Sequence, residues 1–180
     1  MPDTIITPTP VPDRAARYGV TYRQVLPADT AFLKALYRST RESELARTGW
    51  DEAARSAFID FQFNAQDRHY SKHYNGAAWL IIEQDGARVG RLYLSRWAQE
   101  DRIVDIILHA DVRGQGLGAA ILRDLQDAAA SANRLLSIHV EKENPALALY
   151  ERLGFERVED KSVYWLMHWR TSSSPESAAR

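Results

Sequence analysis

The sequence predicts an α/β protein, a mixed sheet with helices on its faces, and three observations carry that prediction. Strand-like runs and helical stripes follow one another in the order β-α-α-β-β-β-α-β-α-β-β. An Asp85-Gly86 pair stands between two apolar runs, which demands a tight hairpin and hence antiparallel neighbours. An almost wholly aliphatic run, Ile103 to Leu108, passes through a glycine-rich turn into an amphipathic stripe, as a crossover to a parallel strand requires.

Taken in order, Val20 to Leu26 reads as a short strand ended by Pro27. Phe32, Leu33, Leu36 and Tyr37 recur at helical spacing, and Ala54, Phe58, Phe61 and Ala65 mark a second amphipathic helix. Ala77 to Glu83 and Arg88 to Trp97 are the hairpin strands around Gln84-Asp85-Gly86-Ala87. Ile103 to Leu108 is apolar enough to be buried on both faces. Leu117, Ile121, Leu125, Ala128 and Ala132 form a helical stripe, followed by the strand Leu135 to Val140. Asn144-Pro145 opens a short helix with a capping side chain and a first-turn proline, and Gly154 closes it. Phe155 to Glu159 and Val163 to Trp169 finish as strands, and aromatics left exposed on the last would suit a homodimer contact.

At 180 residues with 45% hydrophobic and 26% charged side chains, the chain suits one domain with a real core. The expected division is a proline-rich flexible leader over 1–19, the domain over 20–170 and a flexible tail over 171–180. Twenty-three Lys and Arg against 24 Asp and Glu give no basic excess for nucleic acid. Without cysteine there is no thiol nucleophile, disulfide or Cys-ligated metal. No apolar run spans a bilayer and Met1 to Pro12 lacks a basic start followed by an apolar stretch, so no membrane partner and a cytoplasmic location are expected.

Chemistry concentrates in Arg113-Gly114-Gln115-Gly116-Leu117-Gly118, which holds three of the nine glycines. Glycine lets backbone N–H groups approach a ligand without a Cβ in the way, and the following helix offers free N–H groups and a positive dipole end. With Arg113 at the mouth this is an anion site suited to a pyrophosphate. The spacing misses the dinucleotide pattern and lacks the Lys-Ser/Thr ending of a P-loop.

That turn resembles the acyl-CoA signature of the GCN5-related N-acetyltransferases, the GNAT superfamily. A second segment, Asn144-Pro145-Ala146-Leu147-Ala148-Leu149-Tyr150-Glu151-Arg152-Leu153-Gly154-Phe155, is similar to that family's N-x-A-x-x-x-Y-x-x-x-G-F stretch. The resemblance implies a largely antiparallel twisted sheet with helices on both faces, its strands splayed between Ile103–Leu108 and Leu135–Val140. It implies transfer of an acetyl group from acetyl-CoA to a primary amine, by direct attack and without a metal. The acceptor would be a small molecule or a peptide. In that geometry the pantetheine arm pairs with backbone near Ile107, Leu108 and Ala110. The pyrophosphate rests on Gly114, Gly116 and Gly118 within the turn that Arg113, Gln115 and Leu117 complete, and Asn144 meets the pantetheine. Tyr150 stands near the thioester sulfur as the acid.

The base is less plainly written. Asp105 interrupts an apolar strand and is either a base or the partner of a neighbouring Arg, His or Tyr that holds the splay open. Period-two alternation puts it on the face opposite Arg102, and the family's frequent glutamate base corresponds to Arg102. That departure keeps open a catalytically silent acyl-CoA-binding module. His139 and Glu141 are further base candidates on one strand face. Phe61, Gln62, Gln66, His69 and Tyr70 are expected at the acceptor pocket by the resemblance, and His69 with His73 has metal-ligand spacing but no third ligand.

Overall fold

The computed structural model describes residues 10–171. Seven strands form one sheet: β1 (Val20–Gln24), β2 (Ala78–Gln84), β3 (Ala87–Arg96), β4 (Glu100–Leu108), β5 (Leu135–Glu141), β6 (Glu156–Lys161) and β7 (Tyr164–Trp169). Their order is β1-β2-β3-β4-β5-β7-β6, and every pair is antiparallel except β4–β5. The helices are α1 (Thr30–Leu45), α2 (Glu52–His73), α3 (Leu117–Ser131) and α4 (Leu147–Arg152). The element order is the one expected from periodicity, and no helix of the described residues is long and apolar enough to cross a membrane.

Each face of the sheet has its own core. On one, α3 and α4 bring Leu117, Ile121, Leu125, Tyr150 and Leu153 against Leu80, Leu92, Ile103, Ile138 and Met167. On the other, Leu33, Tyr37, Ile59 and Phe63 of α1 and α2 pack with Ile81. The Asp85-Gly86 hairpin is as expected: both residues have positive φ, at 50° and 80°, and Gln84 faces Ala87.

Three expectations fail for packing reasons. In α2 the buried pair is Ile59 and Phe63; of the expected stripe Phe58 packs at the edge of that core, while Phe61 is 69% exposed. In β4 Ile103 is buried, yet Val104 to Leu108 are only half-buried because β5 leaves their side. A bulge in β4 lets Asp105 face Tyr93 while Arg102 faces Ser95. Residues 93 and 95 share a face of β3, so Asp105 and Arg102 lie on the same face, not opposite ones.

The expected leader falls partly outside the described residues, at 1–9, as does most of the tail, at 172–180. Ala15–Tyr18, within the stretch read as leader, is a 3₁₀ turn, and Ala15 is buried against the core. On the closing strand, Trp165, Met167 and Trp169 turn to the core, leaving Val163 and Tyr164 exposed. The outermost strand, β6, carries Glu156, Arg157, Glu159, Asp160 and Lys161 and a bulge at Val158, features that blunt an edge against pairing.

Candidate functional site

β4 and β5 pair in parallel from Glu100 opposite Leu135 to Ile103 opposite Ile138, and there the pairing stops. Beyond that point each strand keeps its outer neighbour. Asp105 to Leu108 pair with Tyr93 to Gly90 of β3, and His139 to Glu141 pair with Leu166 to Tyr164 of β7. The result is a wedge whose inner edges expose main-chain groups of residues 104–108 and 139–141. Unpaired backbone donors and acceptors of this kind are what an extended amide-bearing ligand can complete.

Ile107, Leu108 and Ala110 lie on the β4 side of this wedge. Leu108 offers less than expected, because its carbonyl accepts the Arg113 Nε at 2.7 Å. Arg113 therefore braces the strand end against the turn. In the turn itself Gly114 and Gly116 hold φ of 72° and 91°, conformations that few other residues adopt, and Gly116 is the residue before α3. Gln115 ties the turn to the Asp111 carbonyl at 2.7 Å, and Leu117 is buried as the helix's first core contact. Gly118 lies between Leu108 and Leu149, where a Cβ would make only ordinary contacts at 3.5 and 3.8 Å. On the far side the helix expected to open at Asn144-Pro145 starts later, at Leu147 with Ala146 as its N-cap, and Asn144 Oδ1 accepts the Ala146 N–H at 2.8 Å in the turn ahead of it.

Tyr150 is 5% exposed and stacks edge-on against Phe155. Burial, and then the charge of Asp105, raise its phenol pKa, so the hydroxyl is protonated at neutral pH. It has no hydrogen-bond partner among the described residues. The one buried side-chain N or O atom without a partner among those residues is Arg41 Nε.

Asp105 takes the second of its two expected roles, as a partner. It forms an ion pair with Arg91, whose Nε donates to Oδ2 at 2.7 Å and whose Nη2 also reaches Gln66 Oε1 at 2.7 Å. The Arg91 side chain is 2% exposed. Burial opposes its charge, and Asp105 together with Tyr93 and Tyr70 more than offsets that. At the closed end, Arg102 contacts Glu100, Ser137 and His139 and lies 5.3 Å from the Trp97 ring. A guanidinium only donates, so His139 Nδ1 accepts at 3.1 Å and the ring carries its proton on Nε2. Burial and Arg102 together lower the His139 pKa. Glu141 is held by Arg41 at 2.8 Å.

Of the residues expected at the acceptor side, Gln62 meets the Tyr37 hydroxyl at 3.0 Å, Gln66 holds Arg91, and Tyr70 stacks on Trp79. Phe61 faces away. His69 and His73 stack 4.2 Å apart with His73 Nδ1 on the His69 carbonyl, and no group of three possible metal ligands exists among the described residues. Sequence reasoning missed Arg91 and Arg41, the cations that tie down Asp105 and Glu141. The available signal for Arg91 was an arginine within the apolar run of a hairpin strand; its pairing with Asp105 runs diagonally, because Arg91 itself stands opposite Ile107.

Residues 75–157 match the family model described as an acetyltransferase (GNAT) domain. The structure is similar to the PaiA N-acetyltransferase of Thermoplasma acidophilum in complex with coenzyme A, at 13% identity over 84% of this chain and 98% of that one, with a TM-score of 0.62. An acetyltransferase from Thermus thermophilus is similar at 19% identity over 84% and 96%, TM-score 0.60. The ribosomal-protein-S18-alanine N-acetyltransferase of Escherichia coli is similar at 19% over 89% and 99%, TM-score 0.55. At such identities the likeness speaks for the fold. No curated protein matches the sequence.

Proposed function

The chain carries a GNAT acetyltransferase domain, and we propose that it moves an acetyl group from acetyl-CoA to a primary amine of a small molecule or peptide. The observation that carries this reading is the wedge between β4 and β5, open beside a turn of left-handed glycines. The free main-chain edge at 104–108 suits the amides of a pantetheine arm, and the turn at 113–118 suits a diphosphate. Both features lie together, and the similar PaiA enzyme is in complex with coenzyme A.

In the reaction the amine lone pair attacks the thioester carbonyl, the C–S bond breaks, and the thiolate leaves. In this reading Tyr150 of α4, whose hydroxyl is protonated, supplies the proton to the departing sulfur. A positioned acid of this kind contributes about 10²–10⁴ in rate. The amine, with a resting pKa near 10.4, gives up its proton to water or a side chain. Asp105 is committed to Arg91, and His139 has its basic nitrogen occupied by Arg102, so we assign proton removal to water at the wedge mouth.

Calorimetry with coenzyme A and an assay of thiol release with an amine panel test the proposal. Coenzyme A binding with thiol release is expected, and Tyr150→Phe should lower kcat about a hundredfold or more while leaving coenzyme A affinity unchanged. Binding without release from any amine favours the silent acyl-CoA-binding module, a reading supported by Arg102 in the glutamate's place. No binding at all removes both.

A further inference from the structure

Ahead of β1, the chain crosses the back of α3 and is held there by one carboxylate. The backbone N–H groups of Asp13, Arg14 and Ala15 donate to Asp124 at 3.0, 2.9 and 3.0 Å. Asp124 is buried on α3, so this clasp fixes the segment against the helix that begins at the glycine turn. The other end of the segment is fixed from the hairpin. Gln84 Nε2 donates to the Tyr18 carbonyl at 3.0 Å, and the Asp85 N–H donates to the Gly19 carbonyl at 3.0 Å.

Between these two anchors stands Tyr18. Its hydroxyl lies 2.7 Å from where a Cβ on Gly116 would sit, directly against the turn. The side chain is tied down only through its main chain, and it is 38% exposed. Among the described residues the hydroxyl has no protein partner. An uncommitted donor thus borders a turn whose residues have left-handed φ and whose helix presents free N–H groups.

We propose that the Tyr18 hydroxyl donates a hydrogen bond to the diphosphate of coenzyme A, making the segment before β1 part of the coenzyme site. This rests on the acyl-CoA reading given above and extends it to a residue outside both motifs and outside the matched span 75–157. Donation to an anion is stronger than to a neutral acceptor. Because the clasp on Asp124 already holds the segment in place, little ordering remains to oppose that bond.

The test is Tyr18→Phe in the full chain, which keeps the ring and removes only the donor. Titration calorimetry measures coenzyme A, and NMR titration measures pantetheine, which lacks the diphosphate. The expected result is coenzyme A affinity lowered about tenfold with pantetheine affinity unchanged. Coenzyme A affinity within twofold of the wild type overturns the role of Tyr18 and leaves the acetyltransferase proposal standing. An equal loss for both ligands also overturns it, since the effect is then on the fold of the site. A wild-type chain that takes up no coenzyme A overturns the acyl-CoA reading, and the role of Tyr18 with it.

Discussion

β4 is one strand with two different fates. At Glu100 to Ile103 it shares hydrogen bonds with β5, and by Leu108 it has no partner on that side. The closed end is tied across the strand pair on one face by Arg102 to Ser137 and His139. On the other face, Asp101 receives Arg134 as well as Arg96. At the open end the carboxylates find their cations on other elements instead. Asp105 is bound to Arg91 on β3, and Glu141 is bound to Arg41 on α1. Neither of these two pairs joins β4 directly to β5, and the first draws the β4 arm toward β3 where the parallel pairing has ended. This is the condition under which backbone edges stay free for a ligand.

The strongest way to break this picture is Asp105→Asn. It leaves Arg91 charged, buried and short of its anion, and should lower unfolding free energy by about 3–5 kcal/mol in urea titration. The double variant Arg91→Met with Asp105→Asn should recover much of that loss. A loss below about 1 kcal/mol in the single variant would mean that the pair is not holding the β4 arm.

A middle-sized effect separates two glycines of one turn. Gly116→Ala suffers both a left-handed backbone and a collision with the Tyr18 hydroxyl, whereas a Cβ on Gly114 would meet nothing within 4 Å. Strain alone costs about 1–2 kcal/mol, so Gly116→Ala should be the more destabilised of the two by denaturant melts. Equal losses would argue that Tyr18 yields freely.

The smallest effect belongs to the closed end and depends on pH. His139 and His168 both have pKa values lowered from 6.5 by burial. The unfolded chain then binds protons first as pH falls, so the stability these rings contribute is complete above about 6.5 and declines below it. The slope should be shallow because both rings are partly solvated. Arg102→Gln removes a neighbouring cation and should move the His139 titration upward by NMR; an unmoved or lowered value would contradict the contact.

Much of this was legible in the chain itself. Element order, the Asp85-Gly86 hairpin and the glycine turn all follow from local periodicity and from backbone conformations that few residues tolerate, and such properties need no neighbour to be expressed. Asp105 was visible as an anomaly within an apolar strand. Its partner was not, because Arg91 reaches it across a strand pair whose register includes a bulge. The same bulge reversed the face on which Asp105 was expected. Phe61 misled because a helix with aromatics on several sides offers more than one apolar stripe, and only packing against α1 and Ile81 selects Ile59 with Phe63.

The amino-acid order by itself determined which segments are strands and helices, and where main-chain amides are free of Cβ atoms. Folding in three dimensions decided the rest: how far β4 and β5 stay together, which cation holds each carboxylate, and that Tyr18 lands on Gly116. The reason is physical. Period and turn chemistry act over a few residues, whereas strand register, ion pairing and the docking of a segment 98 positions away join parts of the chain that meet only once the core has closed.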